Sequence, residues 1–539
     1  MNRKKLLLTV LLSLPLVLCA VAANNPDSIA VITGFPTILP DPGVAVDWYD
    51  SHACYNLYDP LVYPSSDGGI RSHIATAWWP VDDNPKIWRF RIREGIRFHD
   101  GTELGPEDVA FSMERFMALG SGYSGTIGKV IRTEVVGVDE VEFELEIASV
   151  VFPETLPNFW IVNKDLVLAN IADGNYGDLG DYGQDWLLTN DAGSGPYIMT
   201  EHEVNDRLKA VRFEDYFLGW GDPDGVYGSN AVPVDNVVFL FVTEPGTATA
   251  MMRARQIDVS TVWWANETMT ELDRIEGIDI QYFPSAVISI HLNTTEAPTD
   301  DIHFRRAMAY ALDYEAIESI FPYSESGAPT LLSLPGYNQD MQLIRRDLDK
   351  ARAELALSKY DPADAQVVIH WCAGVDAEAL IIMQMQANLA EIGITAEVSP
   401  VPWMALSSES GNPETTPTGA IQMVTPTYPS ADTYLYYMYH PDVLGGVFAG
   451  HWLLDEEIGR LLDESRLTVD QETRMGLYEE IQERIVSLVP IIYPVNAKQP
   501  HPIQDYLIGP SETFEMVGPN VSMWYYRIDL DRKAELLGN

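Results

Sequence analysis

Apolar and polar positions alternate strictly at Trp88-Arg89-Phe90-Arg91-Ile92-Arg93, with Trp88, Phe90 and Ile92 on one face and three arginines on the other. A period of two marks a half-buried strand. Glu94-Gly95 follows as a turn and predicts a second strand at Ile96-Arg97-Phe98. Alternation resumes on both sides of Asp139-Glu140, between Val135 and Leu145, and predicts a hairpin. Between the two, Gly105-Pro106-Glu107-Asp108 opens a helix through Phe116, with proline and acids in the first turn, where the positive end of the helix dipole favours them.

A helix over Pro245 to Gln256 leads into a strand at Ile257-Asp258-Val259. Past Ser285 the chain reads as strand Val287 to Asn293, one long helix from Phe304 to Ile320, strand Val367-Val368-Ile369, and a helix from Ala377 to Ile392 stopped by Gly393. Helices over Glu456–Glu464 and Gln471–Ser487 follow, the second ended by Pro490. Such alternation of strands and helices predicts α/β lobes. The adjacent pairs Trp78/Trp79 and Trp263/Trp264 stand out, because neighbours on a strand face opposite sides and one of each pair must find cover away from a core.

Composition narrows the classes. Apolar residues at 46% of 539 positions supply several cores, and 34 Lys+Arg against 79 Asp+Glu leave a net charge of −45. A phosphate polymer or anionic membrane needs a basic footprint that this balance lacks. The acid excess serves solubility and favours cationic, zwitterionic or neutral ligands.

Arg3, Lys4 and Lys5 precede an apolar run from Leu6 to Cys19 and the small-residue stretch Ala20-Val21-Ala22. That run is too short to span a bilayer, so residues 1–22 read as a cleaved secretion signal, with the mature chain exported. Cys19 could instead carry a lipid, but Leu18 stands where such signals use a small residue. The remaining Cys54 and Cys372 form no disulfide framework and read as two unpaired thiols.

The chain has no His-Glu-x-x-His, no Cys-x-x-Cys and no Gly-x-Ser-x-Gly. Gly122 to Lys129 imitates a phosphate loop but has the wrong glycine spacing and Val130 in place of Ser or Thr. The acidic stretch Asp173, Asn175, Asp178, Asp181, Asp185 does not follow the calcium-loop pattern and reads as a solvated turn.

The order of motifs resembles the family 5 extracellular solute-binding proteins, the oligopeptide- and dipeptide-binding proteins of ABC importers. The resemblance rests on Tyr55-Asn56-Leu57-Tyr58-Asp59-Pro60-Leu61-Val62, on Trp88 to Gly101 followed by Glu107-Asp108-Val109, and on Gly193-Ser194-Gly195-Pro196-Tyr197. Asn293 through Asp313, Leu389 to Ile394 and Arg474 to Pro494 extend it. It implies an α/β, two-lobed periplasmic-binding-protein fold of type II with an extra subdomain and the ligand cleft between the lobes. It also implies a large lobe of 23–284 and 496–539, holding the subdomain at about 60–190, and a smaller inserted lobe at 285–495. The implied role is a non-enzymatic periplasmic receptor, a monomer without cofactor or metal, which delivers its solute to ABC permease subunits. Gly195-Pro196-Tyr197 reads as structural, since Gly and Pro set backbone geometry.

In the peptide-binding relatives an aspartate pairs with the peptide amino terminus. Alignment places Thr427 there, within Thr425-Pro426-Thr427-Tyr428-Pro429-Ser430-Ala431-Asp432, and a threonine cannot form that ion pair. Three readings stay open: Asp432 or another acid substitutes for it, the solute is an oligosaccharide stacked on Trp263, Trp264 or Trp403, or the local alignment is displaced by a few residues; a peptide is the first expectation and a sugar the second. The expected ligand-binding residues are Asn56, Trp263, Trp264, Trp403, Thr425, Thr427 and Tyr428. A secreted hydrolase of peptide or glycan is the rival from another class, and a nickel or metallophore receptor a third.

Overall fold

The chain's computed structural model describes residues 28–33, 38–45, 48–65, 69–221, 231–242, 244–260, 266–321, 323–509 and 522–538. From β1 (Ser28–Thr33) and α1 (Trp48–Leu57) the chain enters a separate antiparallel sheet. That sheet is built from β2 (Ala75–Val81), β3 (Asn84–Ile92), β4 (Val130–Val135) and β5 (Glu140–Leu145) in the order β2-β3-β5-β4, and α2 (Pro106–Leu119) packs on it. Trp88, Phe90 and Ile92 turn inward onto a core with Phe143, Phe152 and Phe159. Burying each aromatic there contributes about 1.5–3 kcal/mol. Arg89 and Arg91 on the other face meet Glu142 and Glu140, each at 2.8 Å. The Trp78/Trp79 pair divides as the pleat requires, Trp78 against the core and Trp79 under the Arg91 guanidinium. Ile96-Arg97-Phe98 joins no sheet: Arg97 makes an isolated bridge to Glu103, while Ile96 and Phe98 are drawn individually into the core.

The main sheet takes β1 together with β6 (Tyr197–Glu203), β7 (Arg207–Arg212) and β8 (Asn236–Phe241). After α3 (Pro245–Arg253), β9 (Val259–Ser260) and β10 (Ile278–Leu292) join it. β10 begins nine residues earlier than the expected strand, because its first half is a paired strand despite Pro284. The expected long helix is two, α4 (Ile302–Ala311) and α5 (Tyr314–Ile320). Asp313 breaks it by capping the second, accepting the Ala316 N–H. Next come β11 (Val367–Cys372), α6 (Asp376–Ala390), β12 (Ala396–Val401), α7 (Trp403–Glu409) and β13 (Gly419–Val424). α8 (Asp432–Tyr439), α9 (Glu456–Leu467), α10 (Gln471–Leu488) and β14 (Val495–Gln504) complete the frame.

The strand order is β12-β11-β13-β10-β14-β9-β1-β8-β7-β6. β10 belongs to both ends of it, pairing with β14 from Ile278 to Val287 and with β13 from Val287 to Leu292. Alternate residues of β10 then feed opposite cores. Ile288, Ile290 and Leu292 pack with α4 and α6, while Val287 packs with α8, α9 and α10. A further core gathers Ile29, Val31, Val237, Phe239 and the C-terminal Met523 and Ile528. The result is a two-lobed fold in which β10 and β14 run from one lobe into the other. Cys54 and Cys372 are both free thiols.

Candidate functional site

Strand direction locates the cleft. β14 runs antiparallel to both β9 and β10, so those two run the same way, and β1 is parallel to β9. The carboxyl ends of β1 and β9, at Thr33 and Ser260, point along β10 toward the second lobe. β13 runs back against β10, from Gly419 opposite Leu292 to Val424 opposite Val287, and β11 and β12 run parallel to it. The ends at Cys372, Val401 and Val424 therefore face the first lobe. Open α/β sheets bind ligands outside the carboxyl ends of their strands. Here two sets of such ends oppose each other where β10 and β14 cross.

Trp403, Thr425 and Thr427 all lie within three residues of these ends. Trp403 opens α7, is 45% exposed, and has its ring 6.4 Å from that of Phe448. Thr425 is exposed. Thr427 donates its N–H to Thr433 Oγ1 at 3.0 Å, and its carbonyl accepts from Asn158 Nδ2 at 2.8 Å. Trp263 and Trp264 follow Ser260 in sequence but lie outside the described residues.

The other two expected residues point elsewhere. Asn56 is fully buried, donating to the His52 carbonyl at 2.7 Å and accepting the Met523 N–H at 2.8 Å. Both ends of its amide thus hold α1 against the C-terminal segment. Tyr428 is also fully buried, and its hydroxyl donates to Asp432 Oδ2 at 2.7 Å. Burial, followed by that carboxylate, pushes the Tyr428 phenol well up. Asp432, the suggested stand-in for an ammonium anchor, is committed to Arg466, with Nη2 at 2.6 Å and Nε at 3.2 Å. Burial works against the Arg466 charge, but Asp432 outweighs it and holds the guanidinium well above its ordinary pKa. The same guanidinium lies over the Tyr436 ring, 3.2 Å from its centroid. A ligand ammonium would have to displace Arg466 to reach Asp432.

Beside this pair runs a seam between the small sheet's subdomain and the second lobe. Val150 donates its N–H to the Arg466 carbonyl at 2.7 Å, and Tyr437 donates its hydroxyl to the Thr126 carbonyl at 2.6 Å. Asn158 reaches Thr427 as above, and Arg474 stands 3.4 Å from Glu154. Burial pushes the Glu154 carboxyl up to about 7 against the opposing pull of Arg474. Sequence reading found none of Asn158, Glu154, Tyr437, Arg466 or Arg474. Their partners are as many as 320 residues away, and nothing in the local pattern marks them.

In the acidic stretch Asp173, Asn175, Asp178 and Asp185 are exposed, as a solvated turn requires, and Asp181 alone of the five is buried. Asp181 accepts the backbone N–H groups of Ala172, Gly183 and Asp185, and although burial resists its charge these bonds hold its carboxyl below the usual range. Among the described residues no group of three or more His, Cys, Asp or Glu is placed to hold a metal ion. Among them, too, no helix is long and apolar enough to cross a membrane.

Over 465 residues the chain is 22% identical to the probable D,D-dipeptide-binding periplasmic protein of Escherichia coli strain K12, covering 84% of this chain and 85% of that one. In space it is similar to the ABC transporter substrate-binding protein CtaP from Listeria monocytogenes, with a TM-score of 0.77 and 19% identity over 93% of this chain and 99% of that one. It is similar also to the periplasmic binding protein DppA from Helicobacter pylori in complex with the peptide STSA, with a TM-score of 0.73 and 20% identity over 93% and 97% of the two chains. At such identities the spatial likeness establishes the fold alone. Residues 69–445 match the bacterial extracellular solute-binding proteins, family 5, middle region. With most of its length inside that match, and its strand ends opposed across two crossing strands, this chain belongs to the bacterial extracellular solute-binding proteins of family 5.

Proposed function

We propose that the chain is the receptor of an ABC importer and that its solute is a peptide, captured outside the cytoplasm and handed intact to the permease. The observation that carries the capture mechanism is the opposition of strand ends across β10 and β14. Contacts that a solute makes with both sets of ends exist only when the lobes are together, so binding shifts the open–closed equilibrium by the energy of those contacts. The proposed lobes are 23–284 with 496–539 and 285–495, whose boundaries fall at the β10–β14 crossing. Residues 1–22, outside the described residues, would direct export.

Support for a peptide comes from the relatives, one named for dipeptides and one solved with a bound peptide. Neither of these relatives is named for an oligosaccharide, and that reading is not favoured. With Thr427 in the aligned anchoring place and Asp432 locked to Arg466, we propose that the solute is held through groups other than an ammonium at that point. Trp403, Thr425 and Thr427 are the proposed cleft residues.

Melting of the purified protein against short peptides, oligosaccharides and nickel chelates tests this. A peptide at 100 times its Kd should stabilise the fold by about 2.7 kcal/mol, and mass spectrometry should recover it uncut. Stabilisation by sugars alone, or a cleaved peptide, overturns the reading.

A further inference from the structure

One edge of the small sheet is open. β4 closes the order β2-β3-β5-β4, and among the described residues no strand lies on its far side. Val136 donates its N–H to the Glu140 carbonyl at 3.0 Å. By the alternation of an antiparallel ladder, that bond turns the N–H and C=O groups of Arg132 and Glu134 toward β5 and those of Thr133 and Val135 outward. The irregularity in the pairing falls between Val130 and Arg132 and leaves Arg132 to Val135 regular. Ile131, Val135 and Val136 are exposed along this edge, and Val138 beyond it is 94% exposed. The other edges of the two large sheets are guarded. β2 carries Pro80, β12 carries Pro400, and β6 has its Met199 N–H taken by Asp191 Oδ2 at 2.7 Å. Proline and covering groups prevent further pairing, whereas an edge left open with apolar side chains is a template for another strand.

The sequence of β4 is complementary to itself. When two copies of it run antiparallel about Thr133, Arg132 of each faces Glu134 of the other, and Ile131 faces Val135. Opposite charges and apolar side chains placed directly across a ladder stabilise it. Glu142 and Glu144 hold the Arg132 guanidinium at 3.0 and 2.9 Å, so its charge is fixed at the edge where Glu134 of the second copy would arrive. The backbone agrees with this register, because Thr133 is a residue whose N–H and C=O point outward and can be exchanged with their own copies. A centre one residue to either side would set Arg132 or Glu134 against itself and present inward-turned backbone groups. Pairing one patch with itself about a two-fold axis is the geometry of a closed dimer.

We propose that β4 pairs with β4 of a second copy of this chain, antiparallel and centred on Thr133, so that the two four-stranded sheets become one. The chain is then a dimer in place of the monomer that the family resemblance implies, whatever its solute. Each copy carries a net charge of −45, so long-range repulsion opposes the contact, and association strengthens as salt screens it.

Sedimentation equilibrium of the full chain in about 1 M NaCl, which screens charge to within about 3 Å, should show a reversible dimer. Val135→Lys sets a charge on the exposed edge and should lower the association constant by at least about tenfold while melting within a few degrees of the parent. Cysteine pairs read the register. The two Thr133 Cα atoms would lie about 5.5 Å apart, within the span of a disulfide, whereas the two Val138 Cα atoms, five residues out on opposite sides, would lie roughly 33 Å apart. Under mild oxidation Thr133→Cys should therefore give a covalent dimer beyond the background from Cys54 and Cys372 in the parent, and Val138→Cys, the more exposed position, should not. A parent that stays monomeric at every concentration overturns the proposal. So does a Val135→Lys dimer as tight as the parent's, or cross-linking of Val138→Cys equal to that of Thr133→Cys.

Discussion

Arg115 and Asp41 form a two-pronged pair in the interior, Nη1 to Oδ1 at 2.7 Å and Nη2 to Oδ2 at 2.6 Å, with both residues at most 3% exposed. The third guanidinium nitrogen, Nε, donates to the Tyr182 carbonyl at 2.9 Å. α2 is thereby tied to the segment before α1 and to the acidic loop at once. Breaking such a pair from one side leaves a buried charge uncompensated. Asp41→Asn should therefore cost about 3–5 kcal/mol, read as a lowered urea midpoint. Asp41→Asn with Arg115→Met should cost less than the two single changes summed. Gly43→Ala should destabilise as well, since its Cβ would overlap Arg115 Nη1.

The Gly193-Ser194-Gly195 stretch has a structural reason beyond its turn. A Cβ on either glycine would run into the backbone of Leu57 at the end of α1. Backbone cannot move aside as a side-chain tip can. Gly193→Ala and Gly195→Ala should each lower the melting temperature by several degrees, corresponding to about 1–3 kcal/mol. Gly476→Ala, on an open face of α10, should not lower it.

These glycines show what the chain displays of itself. Elements with a strong period or a cap were readable from residues alone: β3 by its alternation, α2 by Gly105-Pro106, α10 by its stop before Pro490. Errors came where a tertiary partner decided the outcome. Ile96-Arg97-Phe98 has a strand's pattern but no strand beside it, and the first half of β10 is a strand because β14 pairs with it. Of the expected site residues, the structure puts Trp403, Thr425 and Thr427 just after strand ends, a position that the motifs alone did not reveal. Asn56 and Tyr428 were expected there from their motifs yet are interior, since a polar tip beside an apolar stretch suits a buried hydrogen bond as well as a ligand. The seam was illegible because each bond joins segments with no local signature.

Acid should weaken the protein through its buried histidines. His451 Nε2 donates to the Met438 carbonyl at 2.6 Å and Nδ1 accepts the Leu453 N–H at 2.9 Å, an arrangement only the neutral ring can make. Burial pushes its pKa down to about 4, and that of His501 down to about 3. The unfolded chain takes up these protons near pH 6.5, where the folded chain refuses them. Stability is therefore full above about 6.5 and is lost as pH falls toward 4, by about 3 kcal/mol for His451. Melting curves between pH 7.5 and 4.5 should show the decline. His451→Gln should start lower and decline less, and an unchanged acid limb in that variant would remove His451 from the account.

Glu378 carries the opposite sign. It is 3% exposed, its Oε2 accepts the Cys372 N–H at 2.8 Å, and burial pushes its pKa up to about 7. The stability it contributes as a neutral acid is present below its unfolded pKa and is lost as pH rises through 7. Glu378→Gln keeps an acceptor for Cys372 and has no proton to lose. It should raise stability at pH 8 by about 1–3 kcal/mol and change little at pH 4. Equal effects at the two pH values would show that the carboxyl ionises normally.

Solute affinity should depend on the hydrogen bonds that close the seam. Asn158 Nδ2 on the Thr427 carbonyl and Tyr437 Oη on the Thr126 carbonyl each contribute about 1 kcal/mol net, as a typical hydrogen bond does, and both join the subdomain to the second lobe. If these bonds form on closure, deleting one lowers the population of the closed form that holds solute. Asn158→Ala and Tyr437→Phe should then each weaken binding of any peptide about fivefold, and together about 25-fold, as long as the two sites act independently. Calorimetric titration measures the loss, and solution scattering of the solute-free protein should show the double variant to be the more extended. The two measurements must move together. A double variant that is more extended yet binds as the parent does would mean that the solute closes the lobes without help from the seam. A double variant that binds weakly without changing its shape would place Tyr437 or Asn158 in direct contact with the solute instead.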